Sequence, residues 1–218
     1  MVITIDGAAG VGKTTTAKEL AKELGYQYFD TGAMYRAVTF YFLAEGVDLQ
    51  KSSNISESLK AMNLRIDFLS GNDMILFLDE KDISLKIRNQ KVTSYVSEVS
   101  ALKEVREMMV SIQRTTTEKG NFIVEGRDIG SVVFPDAKYK FYLTADYDIR
   151  AKRRLADFEK INEAKNINKI KEDLIVRDKY DSNRKLSPLK KPDGAIIIDT
   201  SECSIKEQVN QILKHIER

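Results

Sequence analysis

The sequence has very little cysteine, histidine or proline. Cys203 and His215 are the only cysteine and the only histidine among 218 residues. A single cysteine excludes an intrachain disulfide, and one cysteine with one histidine excludes a Cys/His zinc cluster. The three prolines are too few to suggest long linkers. Cys203 and His215 are therefore expected to be incidental to function.

The chain also lacks a strong excess of either charge and any long uncharged run. Its 35 Lys and Arg residues nearly balance 33 Asp and Glu residues, so charge does not favour a nucleic-acid or membrane partner, and none is expected. No uncharged stretch approaches the length that crosses a bilayer, and the first apolar run stops at Asp6 with no charged segment before it. We therefore expect a cytoplasmic protein without a signal peptide.

What the sequence does contain is a globular composition, with 42% hydrophobic and 31% charged residues. A chain of 218 residues is long enough to bury one substantial core with an insertion or two.

A glycine-rich loop follows the first predicted strand. Residues 2–6 are a short β-branched run, residues 7–14 fit the pattern G-x-x-x-x-G-K-[ST], and the segment after them has apolar residues on one helical face. In this pattern backbone N–H groups wrap an oligophosphate, and the helix N-terminus favours the same anion. The loop predicts an ATP or GTP site formed by Gly7, Ala8, Ala9, Gly10, Val11, Gly12, Lys13, Thr14 and Thr15.

Two side chains of this loop have predicted roles. Lys13 is expected to contact the β- and γ-phosphates as a point charge, and the Thr14 hydroxyl is expected to complete the coordination of a Mg²⁺ that the phosphates hold. The alternative is a glycine-rich turn that merely joins a buried strand to a helix. The offsets of Lys13 and Thr14 favour the nucleotide site. Kinases, GTPases and motors share such a loop, however, so the remaining chain has to identify the function.

Predicted strands and helices alternate along most of the chain. Strands near residues 2, 26, 122, 139 and 195 are separated by helices, which indicates an α/β fold with a doubly wound, parallel, five-stranded sheet. Because ligands collect at the carboxyl ends of parallel strands, the segments that follow these strands are expected to converge; they are residues 7–14, 30–36 and 126–128.

Two further predictions concern the middle and the end of the chain. Residues 64–69 and 74–78 alternate around a turn at residues 70–73, with 82–83 as a third short strand, which predicts a small antiparallel patch. An ordinary surface hairpin is the alternative. The last helix is predicted over residues 204–217.

The segment Asp30-Thr31-Gly32-Ala33-Met34-Tyr35-Arg36 opens the second predicted helix. With the strand, P-loop, helix and strand before it, and with Gly126-Arg127-Asp128 after a later strand, this segment resembles the bacterial cytidylate kinases. These are the CMP and dCMP kinases of the nucleoside monophosphate kinase group. The resemblance covers nearly the entire chain, and it implies transfer of the γ-phosphoryl group of ATP to CMP or dCMP, with Mg²⁺, by a monomer.

The resemblance also implies a single kinase domain over residues 1–218. Its core is expected at about residues 1–60, 90–145 and 185–218, and a β-rich monophosphate-binding insertion at about residues 61–89. Two basic helices at about residues 146–184 are expected to form a lid.

Arginines have the main part in the predicted chemistry. The acceptor phosphate oxygen is already anionic, so transfer needs positioning and charge neutralisation rather than a general base. A guanidinium group suits this task because it pairs with phosphate in bidentate geometry. The predicted catalytic residues are Lys13, Arg127, Arg150, Arg153, Arg154 and Arg177.

Cytosine and uracil differ in a group that a carboxylate distinguishes. The exocyclic amine of cytosine donates to a carboxylate, whereas the carbonyl of uracil is repelled. In the family, the aspartate of the G-R-D motif and a serine and an arginine upstream read the base, and these match Asp128, Ser97 and Arg106. The remaining contacts to the acceptor nucleotide are carried by the resemblance onto Thr31, Tyr35, Arg36, Arg127, Asp181 and Arg184.

Some positions depart from the family pattern. Ala8 and Ala9 stand where many relatives have proline and a small residue, Thr14 where many have serine, and Glu125 where aspartate is common. None of these changes removes the loop's backbone or hydroxyl chemistry.

The competing interpretations are a kinase for another small acceptor, such as UMP or AMP, and a nucleotide-switch module. A GTPase-type switch would need a guanine-reading N-K-x-D, whereas the nearest segment, residues 168–171, ends in lysine.

Overall fold

The computed structural model describes residues 1–69, 74–160 and 163–217. Its strands are β1 (Val2–Gly7), β2 (Gln27–Asp30), β3 (Leu64–Phe68), β4 (Met74–Leu78), β5 (Lys81–Asp82), β6 (Phe122–Gly126), β7 (Tyr139–Thr144) and β8 (Ile196–Asp199). Its helices are α1 (Lys13–Leu24), α2 (Thr31–Glu45), α3 (Ser52–Ala61), α4 (Gln90–Val99), α5 (Lys103–Thr116), α6 (Tyr147–Glu159), α7 (Ile167–Ser182) and α8 (Ile205–Leu213). A 3₁₀ turn occupies Lys86–Arg88, and a π-helical turn occupies Ile129–Val133. Within the described ranges, no helix has both the length and the apolar character that crossing a membrane requires.

The strands form two sheets. Five of them make a parallel sheet in the order β2-β6-β1-β7-β8, while β3, β4 and β5 make a separate antiparallel sheet. In the parallel sheet Ile3 of β1 is in register with Tyr139 of β7. In the antiparallel sheet Leu64 is in register with Leu78. The predicted doubly wound sheet with a small antiparallel insertion is confirmed.

The chain divides into two compact units. The first consists of Met1 and residues 21–124, and the second consists of residues 2–20 and 125–218. In the first unit, Phe68 of β3 packs edge-on against Phe29 and Phe122, with ring centroids 5.8 Å and 5.4 Å away. In the second unit, the core includes the fully buried side chains of Ile3, Ile5, Phe141 and Leu143 on the neighbouring strands β1 and β7.

Helix ends follow the local sequence closely. Asp30 caps α2 by accepting a hydrogen bond from the Ala33 N–H at 2.9 Å, and the helix ends before Gly46. A short break after Val99 separates α4 from α5, which begins at Lys103. Asp30 and Gly46 are residue types that favour the beginning and the end of a helix.

Two predicted boundaries are wrong. The last helix ends at Leu213 rather than at residue 217, because the chain tightens into i to i+3 bonds such as Ile216 N–H to the Leu213 carbonyl oxygen. The third antiparallel strand is Lys81–Asp82 rather than residues 82–83, because Asp79 and Glu80 both take positive φ angles and turn the chain within two residues. The predicted turn at residues 70–73 lies outside the described residues.

Candidate active site

The predicted phosphate loop connects β1 to α1. β1 ends at Gly7, the next five residues turn, and α1 begins at Lys13. Gly10 and Gly12 have φ angles of 77° and 95°, a region that residues with side chains rarely adopt. Thr14 is exposed in the first turn of the helix, where backbone N–H groups lack helical partners and favour an anion. The loop therefore has the backbone form that an oligophosphate requires.

Lys13 is a buried cation at the centre of this loop. Its residue surface is only 7% exposed, and its ammonium donates a hydrogen bond to the Ala8 carbonyl oxygen at 2.7 Å. Burial lowers the pKa of Lys13 to about 7; the positive charge of Arg127 acts in the same direction, and Glu125 opposes both. A polyphosphate would counter the repulsion and favour the charged amine. The residues present thus fit an anionic nucleotide.

A metal ion at this loop would bind through Thr14 and the phosphates. The Thr14 side chain is exposed at the second residue of α1. Across residues 1–69, 74–160 and 163–217, no group of three or more His, Cys, Asp or Glu side chains could hold a metal ion. Mg²⁺ commonly keeps several waters and binds through substrate phosphates with one or two protein groups. The exposed Thr14 hydroxyl suits a Mg²⁺ of that kind.

β1 also fixes the turn that follows the G-R-D motif. Asp6 is fully buried, and its two carboxylate oxygens accept hydrogen bonds from the N–H groups of Ile129 at 2.8 Å and Gly130 at 2.7 Å. Burial raises the pKa of Asp6 to about 6, although both backbone hydrogen bonds oppose this rise. Asp128, which directly precedes the bonded turn, is itself 3% exposed. The G-R-D motif is therefore anchored to the strand that leads into the phosphate loop.

Arg127 and Asp181 form a largely buried ion pair. Arg127 Nε donates to Asp181 Oδ2 at 3.1 Å, and the two side chains are 20% and 5% exposed. Arg127 also acts electrostatically on Lys13. Arg184 donates from Nη2 to the Ser187 carbonyl oxygen at 2.8 Å. The second unit thus brings together residues of the P-loop, the G-R-D motif and the D-x-x-R motif.

Arg150 of α6 is buried and makes three hydrogen bonds. Its Nη1 and Nη2 atoms donate to the two oxygens of Asp178 in α7 at 2.6 Å and 2.9 Å, and its Nε donates to the Ala9 carbonyl oxygen at 2.7 Å. The Ala9 side chain also packs against an apolar cluster that includes Ile170 and Leu174 of α7. The two predicted lid helices are therefore joined to each other and to the phosphate loop.

The other predicted lid arginines have different surroundings. Arg153 donates to the carbonyl oxygen of Thr200 at 2.5 Å and to its hydroxyl at 3.1 Å. Arg154 is 38% exposed and lies 4.0 Å from a carboxylate oxygen of Asp157. Arg177 helps to lower the pKa of the P-loop lysine. The arginines of the two predicted lid helices thus have different partners in the structure.

In the first unit, Arg36 of α2 is held by α4. Its Nη1 donates to the Thr93 hydroxyl oxygen at 2.8 Å, and that hydroxyl donates to the Asn89 carbonyl oxygen at 2.9 Å. Because the single hydroxyl proton is used on Asn89, the oxygen faces Arg36 as an acceptor. Thr93 therefore orients the arginine predicted to hold the acceptor phosphate.

Asp30 connects two segments of the first unit. One oxygen of its carboxylate caps α2, and the other accepts a hydrogen bond from Arg88 Nη2 at 3.0 Å. The next residue, Thr31, is buried. Arg88 ends the 3₁₀ turn that follows the antiparallel sheet. The ion pair thus ties the predicted monophosphate-binding insertion to the motif that opens α2.

Arg106, Tyr35 and Ser97 form a second cluster in the first unit. The Arg106 guanidinium carbon lies 5.4 Å from the centroid of the Tyr35 ring. Arg106 Nη1 donates to the Ser100 carbonyl oxygen at 3.2 Å, and the Ser100 hydroxyl donates to the Ser97 carbonyl oxygen at 3.0 Å. The structure therefore brings together the arginine and the serine that are predicted to read the base.

Sequence reasoning missed four residues that hydrogen-bond predicted site residues or their close neighbours in sequence: Asp6, Arg88, Thr93 and Asp178. The only indication of their importance in the sequence was that two of them lie next to motif residues. Asp6 directly precedes the P-loop, and Asp178 directly follows Arg177. Nothing in the local pattern marked Thr93 or Arg88, whose partners are 57 and 58 positions away in sequence.

Known proteins resemble this chain over almost its full length. A family model described as cytidylate kinase matches residues 3–218. The chain is 44% identical over 219 residues to a cytidylate kinase of Protochlamydia amoebophila, covering 99% of this chain and 96% of the relative. It is 42% identical over 216 residues to a cytidylate kinase of Caldanaerobacter subterraneus, covering 99% and 94%. A solved structure of an uncharacterized protein from Eubacterium ventriosum superimposes with a TM-score of 0.54 at 12% identity, covering 99% and 97%, a likeness of fold alone.

Proposed function

This chain belongs to the cytidylate kinase family, and on that premise we propose that it transfers the γ-phosphoryl group of ATP to CMP or dCMP. The products are ADP and CDP or dCDP. One observation of the structure carries the proposal: the Lys13 ammonium is buried in the phosphate loop and donates a hydrogen bond to the Ala8 carbonyl oxygen. The positive charge of Arg127, in the G-R-D motif, helps to lower the pKa of this lysine, and a phosphate group would stabilise both cations.

The chemistry asks the protein to orient and neutralise phosphates. An oxygen of the acceptor phosphate forms the new P–O bond while the bond to the departing ADP breaks, and no proton has to be removed first. We propose Lys13 and Arg127 as the cations nearest this transfer. The proposed lid, residues 146–184, would add Arg150, Arg153, Arg154 and Arg177 and exclude water. A Mg²⁺ held by Thr14 and the phosphates would supply further charge neutralisation.

Arg150 would have to exchange partners to take this role. All three of its guanidinium nitrogens are engaged by Asp178 and Ala9. Unless those bonds break, the residue serves to join the lid helices to the phosphate loop, and the direct phosphate contacts fall to the other cations. Both roles stabilise a closed site.

The residues that we propose for the acceptor nucleotide are Thr31, Tyr35, Arg36, Ser97, Arg106, Arg127, Asp128, Asp181 and Arg184. Asp128 would accept from the cytosine amine and repel the uracil carbonyl. We further propose one kinase domain that acts as a cytoplasmic monomer, with its acceptor insertion at residues 61–89.

An acceptor panel tests this function. ADP release is measured with ATP and Mg²⁺ against CMP, dCMP, UMP, AMP, GMP and no acceptor. Turnover confined mainly to CMP and dCMP is expected. Turnover with another acceptor would overturn the proposed substrate, and slow ATP hydrolysis that ignores the acceptor would overturn the transferase function.

The same assay tests base reading by Asp128. Asp128→Ala should reduce the preference for CMP over UMP more than it reduces ATP affinity, because the carboxylate is proposed to face the base. Asp136→Ala is the matched control, since Asp136 is an exposed carboxylate on the same connection. Unchanged base preference in Asp128→Ala would assign base reading to other residues.

A further inference from the structure

The turn after the G-R-D motif depends on a carboxylate at the end of β1. Ile129 and Gly130 present consecutive N–H groups to Asp6, at 2.8 Å and 2.7 Å, and each oxygen accepts one of them. An asparagine has only one acceptor oxygen, and its NH₂ group would face the second N–H. Asp6 is fully buried, so water does not substitute for the lost acceptor. Among residues of this size, a carboxylate alone satisfies both donors.

The same turn also packs closely on β1. A Cβ atom at Gly130 would lie 2.8 Å from Thr4 Oγ1 and 3.1 Å from Lys140 Cδ, so a larger residue would push the turn away. Thr4 is two positions before Asp6 and therefore on the same face of the strand. Its buried hydroxyl makes no hydrogen bond to any residue that the structure describes. Thr4 thus supplies packing, and Asp6 supplies hydrogen bonds.

We propose that Asp6 is a positioning residue for the acceptor nucleotide. The N–H groups that it bonds belong to the two residues directly after Arg127 and Asp128, so the carboxylate fixes where these two side chains start. At its other end Arg127 is held by Asp181, at 3.1 Å. Both oxygens of Asp6 accept hydrogen bonds from the turn, whereas Asp6 acts on Lys13 of the phosphate loop through its charge. This inference rests on the proposed function, because it takes Arg127 and Asp128 as ligands of CMP.

Kinetics of Asp6→Asn separate positioning from general structural support. Displacing a positioning group by about an ångström typically costs tenfold or more, so the KM for CMP should rise at least about tenfold. The preference for CMP over UMP should fall, while the KM for ATP should stay within about threefold of the wild-type value. Thr4→Val is the matched control: it keeps the packing, removes a hydroxyl that bonds nothing described, and should leave all three quantities unchanged.

A second variant displaces the same turn without changing its charge. In Gly130→Ala the added methyl group meets Thr4 and Lys140, and Asp6 keeps its charge. The same rise in KM for CMP and the same loss of base preference are expected. This variant also carries the test if Asp6→Asn does not fold, which thermal melting reveals beforehand.

Three results would overturn the inference. The KM for ATP could rise as much as the KM for CMP in Asp6→Asn, which would assign the carboxylate to the charge balance of the phosphate loop. The melting temperature could fall while both KM values and base preference stay unchanged, which would leave a structural role alone. Gly130→Ala could retain full base preference. Failure of the proposed function is distinct, since it appears in the wild-type protein as no release of ADP that depends on CMP.

Discussion

Raising the pH from 7 to 9 should weaken ATP binding, because Lys13 loses its proton in this range while the nucleotide is absent. Burial, reinforced by Arg127, lowers the pKa of this amine to about 7. A lysine with that pKa is about one tenth charged at pH 8 and about one hundredth charged at pH 9. A bound polyphosphate favours the charged amine and raises its pKa. Binding at pH 8 should therefore take up about 0.9 proton.

Raising the pH lowers ATP affinity but raises the contribution of Lys13 to folding stability. ATP affinity has its full value below pH 7. Above pH 7 it falls about tenfold for each pH unit, which corresponds to about 1.4 kcal/mol of binding free energy. The unfolded chain has a lysine with its ordinary pKa of 10.5 and binds more protons than the folded chain above pH 7, so this group's contribution to folding stability rises with pH. Asp6, with a pKa raised to about 6, is already ionised there. Weaker ATP binding therefore does not reflect unfolding.

Titration calorimetry with MgATP measures both the Kd for ATP and the number of protons taken up on binding. The titrations run from pH 7.5 to 9, above the second phosphate pKa of about 6, in two buffers that differ in ionisation enthalpy. Lys13→Met is the matched control, because it removes the titrating group and should bind weakly at every pH. A Kd that changes by less than about twofold across this range, or a binding heat that is independent of the buffer, would refute the reasoning.

Two further predictions follow from side chains that hold predicted arginines. Thr93→Val removes the oxygen that orients Arg36 and should raise the KM for CMP roughly tenfold at unchanged kcat, since a hydrogen bond to a charged group contributes about 1.5 kcal/mol; equal KM values for Thr93→Val and Thr93→Ser would contradict this. Asp178→Asn leaves the buried Arg150 charge uncompensated and should lower the free energy of unfolding by about 3 kcal/mol. In Asp157→Asn, at an exposed pair, the loss should be below about 1 kcal/mol. Chemical denaturation compares the two variants, and similar losses would exclude a special role for the buried pair.

Local sequence patterns predicted most of the fold, because apolar periodicity directly reflects which residues are buried. The strand Tyr139–Thr144 alternates buried and half-buried residues and begins where a strand was predicted, near residue 139. The last helix was predicted too long because Ile216 continues the apolar spacing and is buried, although a tighter turn carries it there. The hairpin turn at Asp79 and Glu80 was not recognised, because neither residue is a glycine or an asparagine, the usual signals for positive φ angles.

The candidate site was predictable to the extent that its chemistry lies in contiguous motifs. The phosphate loop needs consecutive backbone groups and a lysine at a fixed offset, so residues 7–15 reveal it directly. Contacts between residues that are far apart in sequence could not be predicted in this way. Asp6 accepts a hydrogen bond from a residue 123 positions later, and the sequence around Asp6 gives no sign of that partner. The same holds for the pairing of Arg150 with Asp178, since helical spacing defines a face but not what lies opposite it.

The three phenylalanines that pack in the first unit limit how far this enzyme could be trimmed. Phe68 lies in the antiparallel sheet and covers Phe29 and Phe122, both almost completely buried. A shortened protein that lacks residues 61–89 would present these two rings to solvent as an apolar patch. Such patches promote self-association, so a minimal version would need polar replacements at both positions before it stayed monodisperse.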